Sequence, residues 1–183
     1  MTPLPTARRS RTRRQSWLDD RSVATTWQVA SLLLVYSHET QPLDVLDAAV
    51  AELPSVVGEP LARFLAHRRS TPLQRLQEDY VETFDTRRRC TLFLTYFLHG
   101  DTRKRGMALL RFKHAFMAAG LEIDDRELPD HLAVVLEFAA TADLETGRRL
   151  LLDHRAGLEL LRLSLTDLDS PYADVVTAVC AGL

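Results

Sequence analysis

The chain has 183 residues, of which 46% are hydrophobic and 26% charged, and its formal net charge is −2. That length can bury a real core in one domain, and the balance of apolar and charged residues excludes a disordered, collagen-like or membrane-embedded class. Leu-, Ala-, Arg- and Glu-rich stretches with only seven Gly and few β-branched runs argue for an all-α protein.

The small net charge hides four blocks. Residues 1–16 carry five Arg and no acid, residues 17–86 sum to −6, residues 87–113 to +7 and residues 114–183 to −8. A basic centre between acidic arms fits arms that fold over the centre, or a centre that recruits something anionic. Cys90 and Cys180 lie far apart, without Cys or His neighbours at metal-ligand spacing. This reads as a reducing compartment with neither a disulfide framework nor a zinc site.

In chain order, residues 1–16 read as a disordered Arg-rich tail and residues 17–183 as a single all-helical domain. Arg8-Arg9 and Arg13-Arg14 are similar to a twin-arginine export signal, but no apolar h-region or cleavage site follows them. The apolar run 27–36 is too short to span a bilayer, which takes about 20 residues. A first helix is predicted over 20–37, with Val23, Trp27, Ala30 and Leu34 on one face. Helices over 43–51, 56–67 and 72–84 follow, punctuated by Pro42, Pro54 and Pro72. Thr71 reads as the cap of the last of these and Pro72 as its first residue, which puts Leu73, Leu76, Tyr80 and Phe84 on one face. Arg87, Arg88 and Arg89 then break the pattern as an exposed turn.

Residues 90–98 are apolar all round. A strand there has no evident partner, so a buried central helix is predicted, stopped by Gly100. Asp101 and Thr102 cap the next helix, whose buried face is Leu109, Phe112, Phe116 and Ala119 and which ends at Gly120. Its first turn holds Arg103, Lys104 and Arg105, each opposing the helix macrodipole at a cost of roughly 0.3–1 kcal/mol. A local rule broken without local gain marks a candidate functional site. After an acidic loop, Glu127-Leu128-Pro129-Asp130-His131-Leu132 reads as a helix start, with Pro129 in the first turn and Asp130 beside the positive end. Helices are predicted over 129–140, 144–157, 158–165 and 171–181.

No GxSxG, P-loop, GxGxxG or HExxH motif is present, and the six His show no metal-ligand spacing. The sequence therefore argues for binding rather than catalysis. Three groups stand out: Tyr80, Phe84 and Asp85; Arg103, Lys104 and Arg105; and Glu127, Asp130 and His131. Each has an ordinary explanation. The aromatics fit core packing, the basic residues fit salt bridges to Asp85, Asp101 or Glu127, and His131 fits a helix-start histidine. Together they offer both charge signs and aromatic rims, which suits an amphipathic peptide in a groove between helices. His131 would make such binding pH-dependent between about pH 5 and 8. A helical nucleic-acid binder using Arg8–Arg14 and Arg87–Arg89 is the alternative, although the part after the tail is net acidic.

These motifs also carry a resemblance. Asp79-Tyr80-Val81-Glu82-Thr83-Phe84-Asp85, His99-Gly100-Asp101-Thr102-Arg103-Lys104-Arg105-Gly106 and Glu127-Leu128-Pro129-Asp130-His131 occur in the order seen in respiratory nitrate reductase assembly chaperones. In this the chain resembles the NarJ or "delta subunit" family, within the redox-enzyme maturation chaperones of TorD and DmsD type. The Glu-x-Pro-Asp-His element is shared across the wider group, and Gly-Asp-Thr-Arg-x-Arg-Gly points to the nitrate reductase branch. The resemblance implies an all-α, single-domain helical bundle of the TorD/NarJ type, cytoplasmic, monomeric or dimeric, and not an enzyme. It implies a partner, the apo alpha subunit of nitrate reductase, bound through its N-terminal peptide by Tyr80, Phe84, Asp85, Glu127, Asp130 and His131. Arg103, Lys104 and Arg105 would meet an anion or acidic partner groups. No cofactor would be held permanently. The chaperone would assist insertion of the molybdenum cofactor, bis-molybdopterin guanine dinucleotide, into its client, without nucleic acid, membrane insertion or membership of the finished complex.

Overall fold

The computed structural model describes residues 18–37, 42–122 and 128–183. Among them the chain forms ten α-helices and no β-strand, as the composition predicts. α1 (Asp20–Leu33) is opened by Asp19, whose carboxylate accepts from the Ser22 N–H at 2.7 Å. The stripe Val23, Trp27, Ala30 and Leu34 is buried as its spacing requires. α2 (Leu43–Ala51), α3 (Ser55–Ser70) and α4 (Leu73–Tyr80) follow, and a π-helical turn over Val81–Asp85 extends α4. α5 (Tyr96–His99) is a single turn stopped by Gly100 at φ 53°, a conformation costly to any side chain. α6 (Arg103–Ala118) ends before Gly120. α7 (Leu132–Thr141), α8 (Leu144–Asp153), α9 (Arg155–Asp167) and α10 (Tyr172–Ala181) complete the bundle.

α1 packs along α7, α10 along α3 and α9, and α8 along α7. The Trp27 indole N–H, fully buried, donates to the Val179 carbonyl at 3.4 Å and joins α1 to α10. Where α7 crosses α8, Gly147 lies so close to Ala139 that an added Cβ would sit 2.3 Å from the Ala139 Cβ. α6 is attached more lightly. Only Phe112 and Phe116 are fully buried on it, Phe116 against Phe138 of α7 at 4.4 Å between ring centres.

Four expectations are corrected. Residues 90–98 are not one helix. A 3₁₀ turn (Arg88–Cys90) leads into extended chain that pairs with the turn before α7, and only Tyr96–His99 is helical. The Leu94 N–H donates to the Asp130 carbonyl at 3.0 Å and the Leu132 N–H to the Leu92 carbonyl at 2.8 Å. The partner that sequence inspection could not find lies 35 residues further along the chain. For the same reason α7 starts at Leu132. Pro129 and Asp130 lie in a buried turn, with backbone groups spent on that pairing rather than on a helix. Thr71 closes α3 by donating its hydroxyl to the His67 carbonyl at 2.8 Å, and Pro72 is itself the N-cap of α4. The stretch 144–157 is broken at His154, so α8 and α9 divide there.

Candidate functional site

The turn that pairs with residues 92–94 brings several singled-out residues to one place. Asp130 is fully buried. Its Oδ2 accepts from the Thr95 N–H at 3.1 Å and from the Thr95 hydroxyl at 2.5 Å. Arg105 reaches in from the second residue pair of α6 and donates through Nε to the Thr95 Oγ1 at 3.2 Å. Its Nη2 lies 3.9 Å from the Asp130 Oδ2, and Asp101 adds a second carboxylate at 3.8 Å. The guanidinium also lies over the Phe93 and Tyr96 rings, at 5.4 and 6.0 Å. Asp130 and Arg105 are therefore linked through Thr95 and by charge, although the Arg105 Nη2 and the Asp130 Oδ1 are buried without a hydrogen-bond partner among the described residues, and neither residue is a free surface contact as the sequence suggested. Their positive and negative charges fix the Phe93–His131 pairing from behind.

In front of that pairing lies a groove of about 610 Å³ between α1 and α7. Leu32, Val35 and Tyr36 form one wall, Val134 and Glu137 the other, and Tyr80, Phe93 and His131 close its floor and end. The His131 ring is half-buried and stands edge-on to Phe93 at 5.3 Å. Tyr80 is almost wholly buried. Its hydroxyl donates to the Leu34 carbonyl at 3.2 Å and its ring meets Tyr36 edge-on at 5.7 Å. Burial, with the Asp85 charge adding to it, pushes the Tyr80 phenol up to about 12. Tyr80 thus serves the core and the groove at once.

Of the other expected residues, Phe84 packs on Tyr172 at 4.8 Å between ring centres and is core. Asp85 is exposed at the end of the π-helical turn and does not line the groove. Glu127 lies outside the described residues. Arg103 and Lys104 face solvent. Sequence reading missed Tyr36, Phe93, Val134 and Glu137. Glu137 carried a signal, as a lone acid on the otherwise apolar α7. Tyr36 and Phe93 carried little, because both lie outside regular helix.

The groove is apolar and carries aromatics and one acid, and no group of three or more His, Cys, Asp or Glu among the described residues could hold a metal ion. No described helix is long and apolar enough to cross a membrane. The sequence pattern of the family described as "Nitrate reductase delta subunit" matches residues 47–178. The chain belongs to that family. Within it, the chain is 43% identical over 155 residues to the Mycobacterium tuberculosis "Nitrate reductase-like protein NarX", covering 84% of this chain. It spans only 24% of that relative's length, so NarX holds this unit within a much longer polypeptide. It is 32% identical to the Bacillus subtilis "Probable nitrate reductase molybdenum cofactor assembly chaperone NarJ", with 86% of this chain and 88% of that one covered. The Escherichia coli "Nitrate reductase molybdenum cofactor assembly chaperone NarJ" is 31% identical over 76% of this chain and 58% of its own. The fold of a putative redox enzyme maturation protein from Archaeoglobus fulgidus superposes with a TM-score of 0.62 at 23% identity, covering 86% of this chain and 91% of the other. The all-α architecture expected from the resemblance is the one found.

Proposed function

We propose that this chain is a cytoplasmic, non-catalytic chaperone for the apo alpha subunit of a respiratory nitrate reductase. It binds that subunit's N-terminal peptide and holds the subunit while the molybdenum cofactor is inserted. Residues 17–183 act as one unit. The observation that carries the reading is the groove between α1 and α7, of about 610 Å³, in a chain whose Bacillus subtilis relative, matched over most of both lengths, is named a probable assembly chaperone.

The peptide folds as an amphipathic helix as it binds. Its apolar side meets Leu32, Val35, Tyr36 and Val134, and a basic group meets Glu137 at the rim. Tyr80 and His131 shape the floor and end of the groove. Asp130 and Arg105 act one layer behind, by holding the His131 turn in place. The cofactor is cargo for the client, and no residue here is assigned to it.

Calorimetric titration with a synthetic peptide of the alpha subunit's N-terminus tests this. Saturable binding is expected, weakened at least about tenfold by Tyr36→Ala or Val134→Asp, since each change removes over a kcal/mol of apolar contact. A peptide that fails to bind, or binds both variants as it binds the wild type, refutes the groove as the client site.

A further inference from the structure

We propose that the outward face of α6 docks an acidic amphipathic helix of a partner protein, at a surface separate from the α1/α7 groove. α6 has two opposed faces. With about 100° per residue, Phe112 and Phe116 point to one side, and Met107, Leu110, His114 and Met117 fall in a narrow stripe on the other. Their spacing of three, four and three residues is that of a helix–helix seam. Leu121 continues the same spacing just past the helix end. Met107 and Met117 are 69% and 65% exposed, and Leu110 and Leu121 are 41% exposed. Beside the stripe runs a groove of about 510 Å³ between α6 and α8, whose far wall includes Leu152. It shares no lining residue with the α1/α7 groove.

Charge names the partner. Residues 103–118 carry five basic side chains and no acid. Arg103 and Lys104 sit in the first turn, where positive charge opposes the macrodipole. Arg105 recovers that cost internally through Thr95 and Asp130. Arg103 and Lys104 have no ion pair or hydrogen bond among the described residues. Arg103 heads the stripe, and Arg111 flanks it, its side chain exposed but paired with Asp153 at 2.7 Å, so among the described residues the unpaired cations here are Arg103 and Lys104. An apolar seam headed and flanked by cations fits a helix with apolar a and d positions and acidic flanks, and methionines adapt to such a partner's side chains. A protein helix fits better than a lipid surface. The stripe has the spacing of a helix–helix seam, and the groove beside it, with Leu152 across from α6, offers a rod-shaped partner a second wall that a flat lipid surface would leave unfilled.

The test uses the full chain and a labelled three-heptad peptide with Leu at a and d and Glu at e and g, read by fluorescence anisotropy. Saturable binding is expected, falling as salt is raised, and unchanged in Tyr36→Ala, which separates this surface from the client groove. Met107→Ser/Met117→Ser and Arg103→Ser/Lys104→Ser should each weaken it about tenfold. These are exposed positions, so circular dichroism should show unaltered folding. The same peptide with Lys in place of Glu should not bind. Equal binding of both peptides, or of wild type and the Met variant, overturns the proposal. So does sedimentation with phosphatidylglycerol-rich vesicles that depends on Met107 and Met117, which would make the face a lipid contact. A concentration-dependent dimer abolished by the Met variant would also overturn it, by making the partner a second copy.

Discussion

Replacing Gly147 with Ala tests whether α7 and α8 are set against each other by backbone contact. An added Cβ at this position would lie 2.3 Å from the Ala139 Cβ and 2.6 Å from its Cα. Carbon atoms rest at about 3.5–4.0 Å, so the two helices must part by more than about 1 Å. Overpacking of this kind costs about 1–3 kcal/mol, and the upper end applies because the obstruction is main chain rather than the tip of a flexible side chain. Against it stands the gain of about 1 kcal/mol when Ala replaces Gly inside a helix. The net expectation is a loss of about 2 kcal/mol, a fall in Tm of roughly 4–8 °C for a chain of this size. Urea unfolding followed by circular dichroism would measure it, with Gly106→Ala as the control. Gly106 also lies within a helix but has no heavy atom within 4 Å of an added Cβ, so the control should gain up to about 1 kcal/mol. If Gly147→Ala is as stable as wild type, the crossing is not contact-limited and the reasoning fails. Because α7 carries Val134 and Glu137, the same variant should also weaken peptide binding.

Arg105→Met should cost about 2 kcal/mol. It strips the buried Asp130 of its charge partner, and the partial exposure of Arg105 keeps the loss below that of a fully buried pair. Adding Asp130→Asn should recover part of the loss, and a double variant no better than the sum of the singles would deny the coupling. At alkaline pH, the Tyr80 phenol is pushed up to about 12 by burial, above its value of 10 in the unfolded chain. The fold therefore favours the neutral phenol. Its contribution is whole below about pH 10 and is lost as pH rises towards about 12. Burial raises the Tyr172 phenol too, so Tyr80→Phe should flatten the alkaline decline in unfolding free energy without abolishing it. An unchanged slope between about pH 9 and 11 would show that Tyr80 ionises as freely folded as unfolded.

Local patterns in the sequence carried most of the helices. α2 falls on its predicted span, and the α1 stripe is buried residue for residue. What stayed hidden depended on distant partners. The apolar stretch 90–98 looked helical because its pairing segment lies beyond α6. Asp130 looked like a charge at a helix mouth because nothing near it in sequence announced Thr95 or Arg105. The three basic residues in the first turn of α6, alike in sequence, divide in the structure. Arg105 turns inward, while Arg103 and Lys104 face solvent. Tyr80 and His131 do meet at one groove, whereas Phe84 was an aromatic on the right helical face whose depth only the packing of Tyr172 decides.

The pairing of residues 92–94 with 130–132 has an evolutionary consequence. It pins the two ends of the α5–α6 excursion side by side, while α6 itself is held to the bundle by Phe112 and Phe116 alone among its fully buried residues. Closing a longer loop costs little more than closing a short one, about 0.6 kcal/mol for each doubling. The excursion can therefore lengthen, shorten or change its surface among relatives while the α1/α7 groove stays where it is. Between those pinned ends, residues 99–106 should hold, since Arg105 serves the turn itself, and sequence drift should concentrate on the outward face of α6, which can be retuned to new companions without retuning the groove.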